Sequence, residues 1–432
     1  MQYLAVVLLL ICGIQIVLNT GQKRLSWFMC SLLLFYSSIV VIQKPHVTAH
    51  RFLIITYWIS ILYYNEEKAL RSFPLKSVLI LYAATLVISC LPSQQLSLFY
   101  KLYKPMMFML DNYLLLMVGF TVDSRQFVIS KPVRIVIYAI TVYGLICYIT
   151  QTDILRQILQ PDFLEHYYFG ERKRVASTWS HPIAYGYICS LLTLLVLYDY
   201  KKRDRVAVLL LLFANVFICG SRTAIVCYFI MLITYWLFAY DLNRKFQVLL
   251  TAILFAVLTL ESNVVRDDIN EVYLSVSGKE SLGGSSVEMR TTQLEATMVV
   301  AAGSPIVGHG LDYIHEVMGF GTDKWVDVSY EFAGFESYFY SIIIERGWLG
   351  VAAEILVLFS ILYICFTHRK SREASAFIIA TLLGFVVFAT MTGKLDTPTL
   401  SFLLMGVMLK RLYVDKGRRT TRIIRLICKK NM

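Results

Sequence analysis

The chain has 432 residues, 57% of them hydrophobic and only 16% charged, with a formal net charge of +12 and a mean hydropathy of +0.63. Such a composition excludes a soluble globule of this length and defines an integral membrane protein. The positive balance does not point to nucleic acid, because most basic residues sit in short loops beside apolar runs and in the C-terminal tail, where they suit anionic lipid and set orientation.

Apolar runs able to cross a bilayer core of ~30 Å as helix recur from the first residues to about Val414, and they predict about twelve to thirteen spans. In chain order they cover 2–18, 27–42, 52–64, 77–91, 101–120, 134–150, 183–200, 206–219, 223–240, 246–261, 347–366, 374–391 and 399–413. The first has no basic leader and no A-x-A-like cleavage site, so it reads as a span rather than a removable signal. The expected fold is all-α: a polytopic transmembrane helical bundle with a large extracytoplasmic loop containing short helices. Within it, 1–261 forms an N-terminal bundle with an outer loop at 151–182. The large loop is 262–335, the C-terminal spans lie in 336–414, and 415–432 is a basic tail.

Lysine and arginine accumulate in the loops at 19–26, 65–76, 121–134, 201–205, 241–246 and 367–373 and after Lys410, which places these on the cytoplasmic side and both long loops outside. Asp111 and Asn112 in "MFMLDNYLLL", together with Glu354, are ionisable or polar groups inside apolar runs; Asp111 is expected to pair with a basic side chain of a neighbouring span. Neither long outer loop holds a cysteine, so no disulfide framework or thiolate metal site is available there. With no HExxH, DxD or histidine cluster, no metal and no cofactor are expected.

The large loop carries eleven acids against four bases, so an arginine in it has many candidate partners. One arginine, Arg290, falls on a helix expected over 286–302, opened by the capping box of Ser285 and Glu288 and stopped by Gly303-Ser304-Pro305. At ~100° per residue, Arg290 shares a face with Leu294, Thr297 and Ala301, while Glu288 and Glu295 lie about 150° away. The helix gives its arginine no internal counter-charge at the three- or four-residue spacing. After the stop, Gly308 and Gly310 flank His309 in a turn that brings backbone close to a bulky neighbour, or simply returns the chain.

Four clusters recur on the expected outer face: Arg172, Lys173 and Arg174 ahead of "STWSHP"; Ser221 and Arg222 in "CGSRTA"; Arg290; and Glu336 in "FESYFYSIIIERGWLG". Arg222 sits in a turn of a few residues between two spans and is held at the membrane surface, as an anchor or as a ligand for an anion. Arginines at this level suit a diphosphate, because guanidinium is permanently protonated and binds oxyanions bidentately. Trp179, Trp325, Tyr330, Phe332, Phe335 and Tyr338 are rings that either stack on sugars or form an interfacial belt. Glu336, with His309 and His181 behind it, is the best-placed group to take a proton, or alternatively a helix cap.

The segments "RVASTWSHPIAYGYI", "CGSRTAIVCYFIML", "EMRTTQLEATMVVAAGSPIVGHGLD" and "ESYFYSIIIERGWLG", in this order over roughly 170–365, resemble the O-antigen polymerase and O-antigen ligase superfamily. The resemblance implies an all-helical, GT-C-like transferase that joins an undecaprenyl-diphosphate-linked glycan to an acceptor hydroxyl. The reaction would lie on the periplasmic or extracellular face of a bacterial cytoplasmic (inner) membrane. It implies that Arg290 is the family's loop arginine and Arg174 the one before the His-Pro element. Ligases of that family carry a histidine, often in His-Asn or His-Ser, where this chain has Glu336 and Ser337, and this departure favours the repeat-unit polymerase. The partners implied are the lipid-linked donor and acceptor, membrane lipid, and a chain-length regulator and flippase of the same pathway. A flippase reading for this chain itself fits less well, since no second half mirrors the first.

Overall fold

The structure is a computed structural model. It describes residues 2–35, 39–42, 47–92, 97–122, 128–159, 168–169, 172–179, 181–200, 204–239, 246, 286–318, 337–367, 371–392 and 399–413. The span expected at 246–261, apart from its first residue, the capping residue Ser285, the rings Trp325, Tyr330, Phe332 and Phe335, the carboxylate of Glu336 and the tail from 414 lie outside these residues.

The described helices are α1 (Gln2–Leu18), α2 (Gly21–Leu34), α3 (Ala49–Tyr63), a 3-10 helix (Glu66–Ser72), α4 (Lys76–Cys90), α5 (Leu98–Asp111), α6 (Leu114–Thr121), α7 (Lys131–Thr150) and α8 (Ile154–Leu159). They continue with α9 (Pro182–Asp199), α10 (Arg205–Ile218), α11 (Arg222–Phe238), α12 (Ser286–Ala301), α13 (Tyr313–Glu316), α14 (Tyr338–Thr367) and α15 (Arg372–Met391), and α16 over 399–413. Two short antiparallel pairs interrupt the helical order, β1 (Val40–Ile42) with β2 (Val47–Thr48) and β3 (Tyr168–Phe169) with β4 (Arg172–Lys173).

Among the described helices, α7, α9, α14 and α15 are long and apolar enough to cross a membrane. A fifth span arises if the 3-10 helix and α4, bent by 95°, count as one. Shorter apolar helices stand at Leu4–Leu18, Arg205–Ile218 and Arg222–Phe238. The run expected as one span over 101–120 is instead two helices, α5 and α6, parted at Asn112–Tyr113. The polar residues make the break tolerable: Asp111 pairs with Arg51 of α3 at 2.7 Å, Asn112 Nδ2 donates to the Phe108 carbonyl at 2.9 Å, and Thr399 of α16 donates to the Asp111 carbonyl at 3.4 Å. These bonds, with those from the Leu115 and Leu116 amides to the Asn112 and Tyr113 carbonyls, keep polar groups at the break partnered, as a low-dielectric medium requires.

At the centre lies α9, "PIAYGYICSLLTLLVLYD", almost wholly buried and without a charge before Asp199. It packs on α10, α11 and α15 and reaches α16 through Tyr187 and Ser401, whose hydroxyls are 2.8 Å apart. Close approach depends on small residues: a Cβ at Gly186 would sit 2.4 Å from that of Ala224 and 2.5 Å from the Cys219 sulfur.

The basic loops gather at one end. There Arg24 pairs with Glu66, Ser26 meets Ser130 at 2.6 Å, and Asp199 accepts the Ile129 N–H at 3.0 Å and faces Arg411 at 3.4 Å. Asp204 accepts the Tyr200 hydroxyl at 2.7 Å, a bond that holds its carboxyl below the usual carboxylate range. The segment from Arg172 to His181, the α10–α11 turn and the start of α14 lie at the opposite end.

Candidate active site at the opposite end of the bundle

The geometry begins with a break in α14. In a straight helix residues 338 and 354 would stand about 24 Å apart, yet the Tyr338 hydroxyl lies 3.2 Å from Glu354 Oε2. The two limbs are folded against each other at Gly347, whose φ of 61° and ψ of −166° are non-helical. The second limb, from Trp348, coincides with the span expected over 347–366.

A helix break leaves orphan carbonyls and amides, and the turn after α12 satisfies them. His309 N–H donates to the Ile344 carbonyl at 2.9 Å and Gly310 N–H to that of Glu345 at 2.8 Å, while Trp348 N–H donates to Pro305 at 2.9 Å and Leu349 N–H to Ile306 at 3.0 Å. The fit leaves no room for side chains. A Cβ at Gly308 (φ +74°) would lie 2.4 Å from the Arg346 nitrogen, and one at Gly347 would lie 2.5 Å from the Ile306 carbonyl. The Gly-His-Gly turn is therefore a backbone clamp on α14.

Inside the break is a buried ion pair. Arg346, 2% exposed, and Glu354, 0% exposed, stand 3.6 Å apart. Tyr82 of α4 donates to Glu354 Oε2 at 2.6 Å and accepts from Arg346. Tyr338 accepts from Arg346 Nη2 at 2.9 Å and donates to Glu354, and Tyr113, in the α5–α6 break, donates to Glu354 Oε1. The guanidinium also lies 4.8 Å from the centre of the Phe108 ring. One buried pair thus ties together both broken helices. Burying such charges is costly unless they are paired and hydrogen-bonded, as here.

Three helices begin at this end of the bundle. His181 caps α9, its Nδ1 accepting the Ile183 N–H at 3.2 Å, and Ser221 caps α11 by accepting the Ala224 N–H at 3.3 Å. α11 and α15 run antiparallel, with Cys227 Sγ 3.6 Å from the Gly384 carbonyl. Five residues further out on each helix, Arg222 opens α11 and Ala389 lies near the end of α15. The Ala389 carbonyl receives the Ser337 hydroxyl at 3.4 Å, which sets the start of α14 beside the same turn. Arg222 is exposed, and half-buried Arg174 is near enough for its positive charge to act on the thiol of Cys219, which stands three residues before Arg222 in the α10–α11 turn. Each helix start carries roughly half a positive charge, so the end of the bundle at Arg174, Arg222 and the three helix starts is electropositive and suited to an anion.

The other predicted residues are placed as follows. Arg172 is in β4, opposite Phe169; its side chain is outside the described residues. Arg290 lies on α12, which packs on α14; its side chain too is outside the described residues. Gln293, Thr297 and Ala301 form the buried stripe of α12, and position 290 is in register with it on the helical wheel. Leu294, expected on that face, is exposed, because the stripe is centred on 293 and 297 rather than on 294. Trp179 is buried edge-on to His50 at 5.5 Å, and Tyr338 is buried in the ion-pair network, so neither ring is open to stack on a sugar. His309 is engaged structurally: Nε2 donates to the Val300 carbonyl at 2.9 Å, and the ring stacks on Tyr313 at 4.5 Å. Among the described residues no group of three histidine, cysteine, aspartate or glutamate side chains is arranged to hold a metal ion.

Sequence reasoning passed over Arg346. The available signal was its spacing: an arginine and a glutamate eight residues apart in an otherwise apolar run.

The long apolar helices define an all-helical polytopic membrane protein. Residues 207–355 match the family described as O-antigen ligase, which supports the O-antigen polymerase and ligase superfamily and a function of that general kind. The match spans the motifs "CGSRTA", "EMRTT" and "ESYFYSIIIERGWLG", whereas the segment from Arg174 to Ile188 lies before it. No curated protein matches the chain.

Proposed function

We propose that the protein polymerises undecaprenyl-diphosphate-linked oligosaccharide repeats of an O-antigen, capsule or exopolysaccharide, on the outer face of a cytoplasmic membrane. The observation that supports this reading is that Arg174 precedes α9 and Arg222 opens α11 at the end of the bundle where α14 also starts. An acceptor sugar hydroxyl attacks the anomeric carbon of the lipid-linked glycan, and the bond to the diphosphate breaks with its electron pair leaving on the diphosphate oxygen. The arginines and helix starts stabilise that developing charge, Arg290 joins them from α12, and Glu336 receives the hydroxyl proton. The sequence Glu336-Ser337 in place of a histidine favours growth of a chain over transfer to a lipid-A core, while the matched family's description favours the latter.

Purified protein in liposomes, supplied with lipid-diphosphate-linked repeats, tests the proposal. A ladder of lengthening glycans on lipid is the expected product. Transfer only to added lipid-A core would replace it with the ligase reading, and translocation without bond formation would refute both.

A further inference from the structure

α12 lies outside the spans, yet the outward side of its C-terminal half is apolar. Leu294, Met298 and Val299 are exposed, Val299 at 73%, and Ile306 in the following turn is exposed at 70%. One to two turns before Val299 the same outward side is polar, with Thr291, Thr292 and Glu295, and Glu295 marks where the apolar end begins. Water does not suit such a patch, and contiguous exposed apolar surface marks contact with lipid or protein.

Its continuation identifies the occupant. The Ile306 and Pro305 carbonyls accept from Leu349 and Trp348, which fixes the exposed turn beside Trp348. Trp348 is itself exposed and heads a row of outward residues, Ile355, Phe359 and Tyr363, along the second limb of α14. A row at that spacing on a span faces acyl chains, and a tryptophan at its head is the residue type that anchors at a membrane interface.

We infer that the C-terminal half of α12 and the turn through Ile306 are seated in the interfacial layer of the bilayer, as a foot of the large loop. The helix rises out of the lipid toward its N-terminus, where its surface turns polar, as in amphipathic segments that rest on membranes. Position 290 lies eight residues before Met298, ~12 Å along the helix, and so stands at the outer edge of the headgroup layer. The seating rests on the apolar row and does not depend on the transferase reading.

The test uses the full chain in nanodiscs of phosphatidylethanolamine and phosphatidylglycerol, with Val299→Cys, Ile306→Cys and Thr292→Cys each labelled with a bimane fluorophore. Of the eight described native cysteines, seven are buried and Cys12 is half-buried, and the unmutated chain gives the labelling background. Labels at 299 and 306 are expected to lose most of their emission to lipids carrying a shallow nitroxide and little to aqueous iodide. Thr292→Cys, two turns along the same side, should show the reverse. Iodide quenching at 299 and 306 would overturn the inference. So would shielding from both quenchers, which would mean that a second copy or another protein covers the patch.

Discussion

The buried pair of Arg346 and Glu354 offers the sharpest test of the fold. Glu354→Leu removes the acceptor of three tyrosine hydroxyls and leaves the Arg346 charge in a site that is 2% exposed, with Tyr82 and Tyr338 as its acceptors among the described residues. Breaking one side of a buried pair costs about 3–5 kcal/mol. Arg346→Met should cost a similar amount, because it strands the carboxylate. Replacing both removes the uncompensated charge and leaves the tyrosine hydroxyls, each worth about 1–3 kcal/mol if unpartnered. Tyr82 and Tyr338 already share two partners and are placed to bond to each other. The double variant should therefore be more stable than either single variant, with a strongly non-additive cycle. Thermal unfolding in detergent, followed by reaction of the buried cysteines with a maleimide dye, reads this directly. A Glu354→Leu protein that melts with the wild type, or a double variant whose loss equals the two single losses added, would refute the role given to the pair.

Other predictions concern the clamp and the rim. Gly308→Ala, with φ at +74° and the Arg346 nitrogen in the path of its Cβ, should cost more than the ~1–3 kcal/mol of a strained backbone position; the same melt and the monodispersity of the purified protein check it. Arg222→Ala and Arg174→Ala should each slow glycan transfer by about 10²–10³ with unchanged melting, measured as initial rates with lipid-linked repeats. Arg290→Lys should be severely impaired, since lysine keeps the charge and loses the bidentate fork, and a variant that loses expression as well as rate would speak for a structural role. Glu336→Gln should slow chain growth while donor binding is kept, so a wild-type rate would reduce Glu336 to a helix cap.

Much of the layout was legible. Charge distribution separates the ends of the bundle, and the pairing of Arg24 with Glu66 and of Arg411 with Asp199 brings the basic loops together as that distribution requires. The partner expected for Asp111 on a neighbouring span is Arg51. The helix through Arg290 was also readable, because Gly303-Ser304-Pro305 is a local stop. What escaped the sequence is non-local. Gly347 sits in a run with no proline, and its conformation is set by a turn some forty residues earlier in the chain. Trp179 reads as an interfacial ring until His50, from the far N-terminal part of the chain, is seen to cover it. The tyrosines around Glu354 come from α4, from the start of α6 and from α14, and no periodicity connects them.

The clamp at Gly347 also bears on how the protein is made. The two limbs of α14 borrow four hydrogen bonds from residues 305–310, so the helix cannot complete its own bonding within one stretch of nascent chain. Until that turn is in place, two carbonyls at the end of the first limb and two amides at the start of the second lack these partners. The bent form of α14 is thus complete only once the turn at 305–310 has docked on it, so this last third of the chain matures as one unit rather than helix by helix.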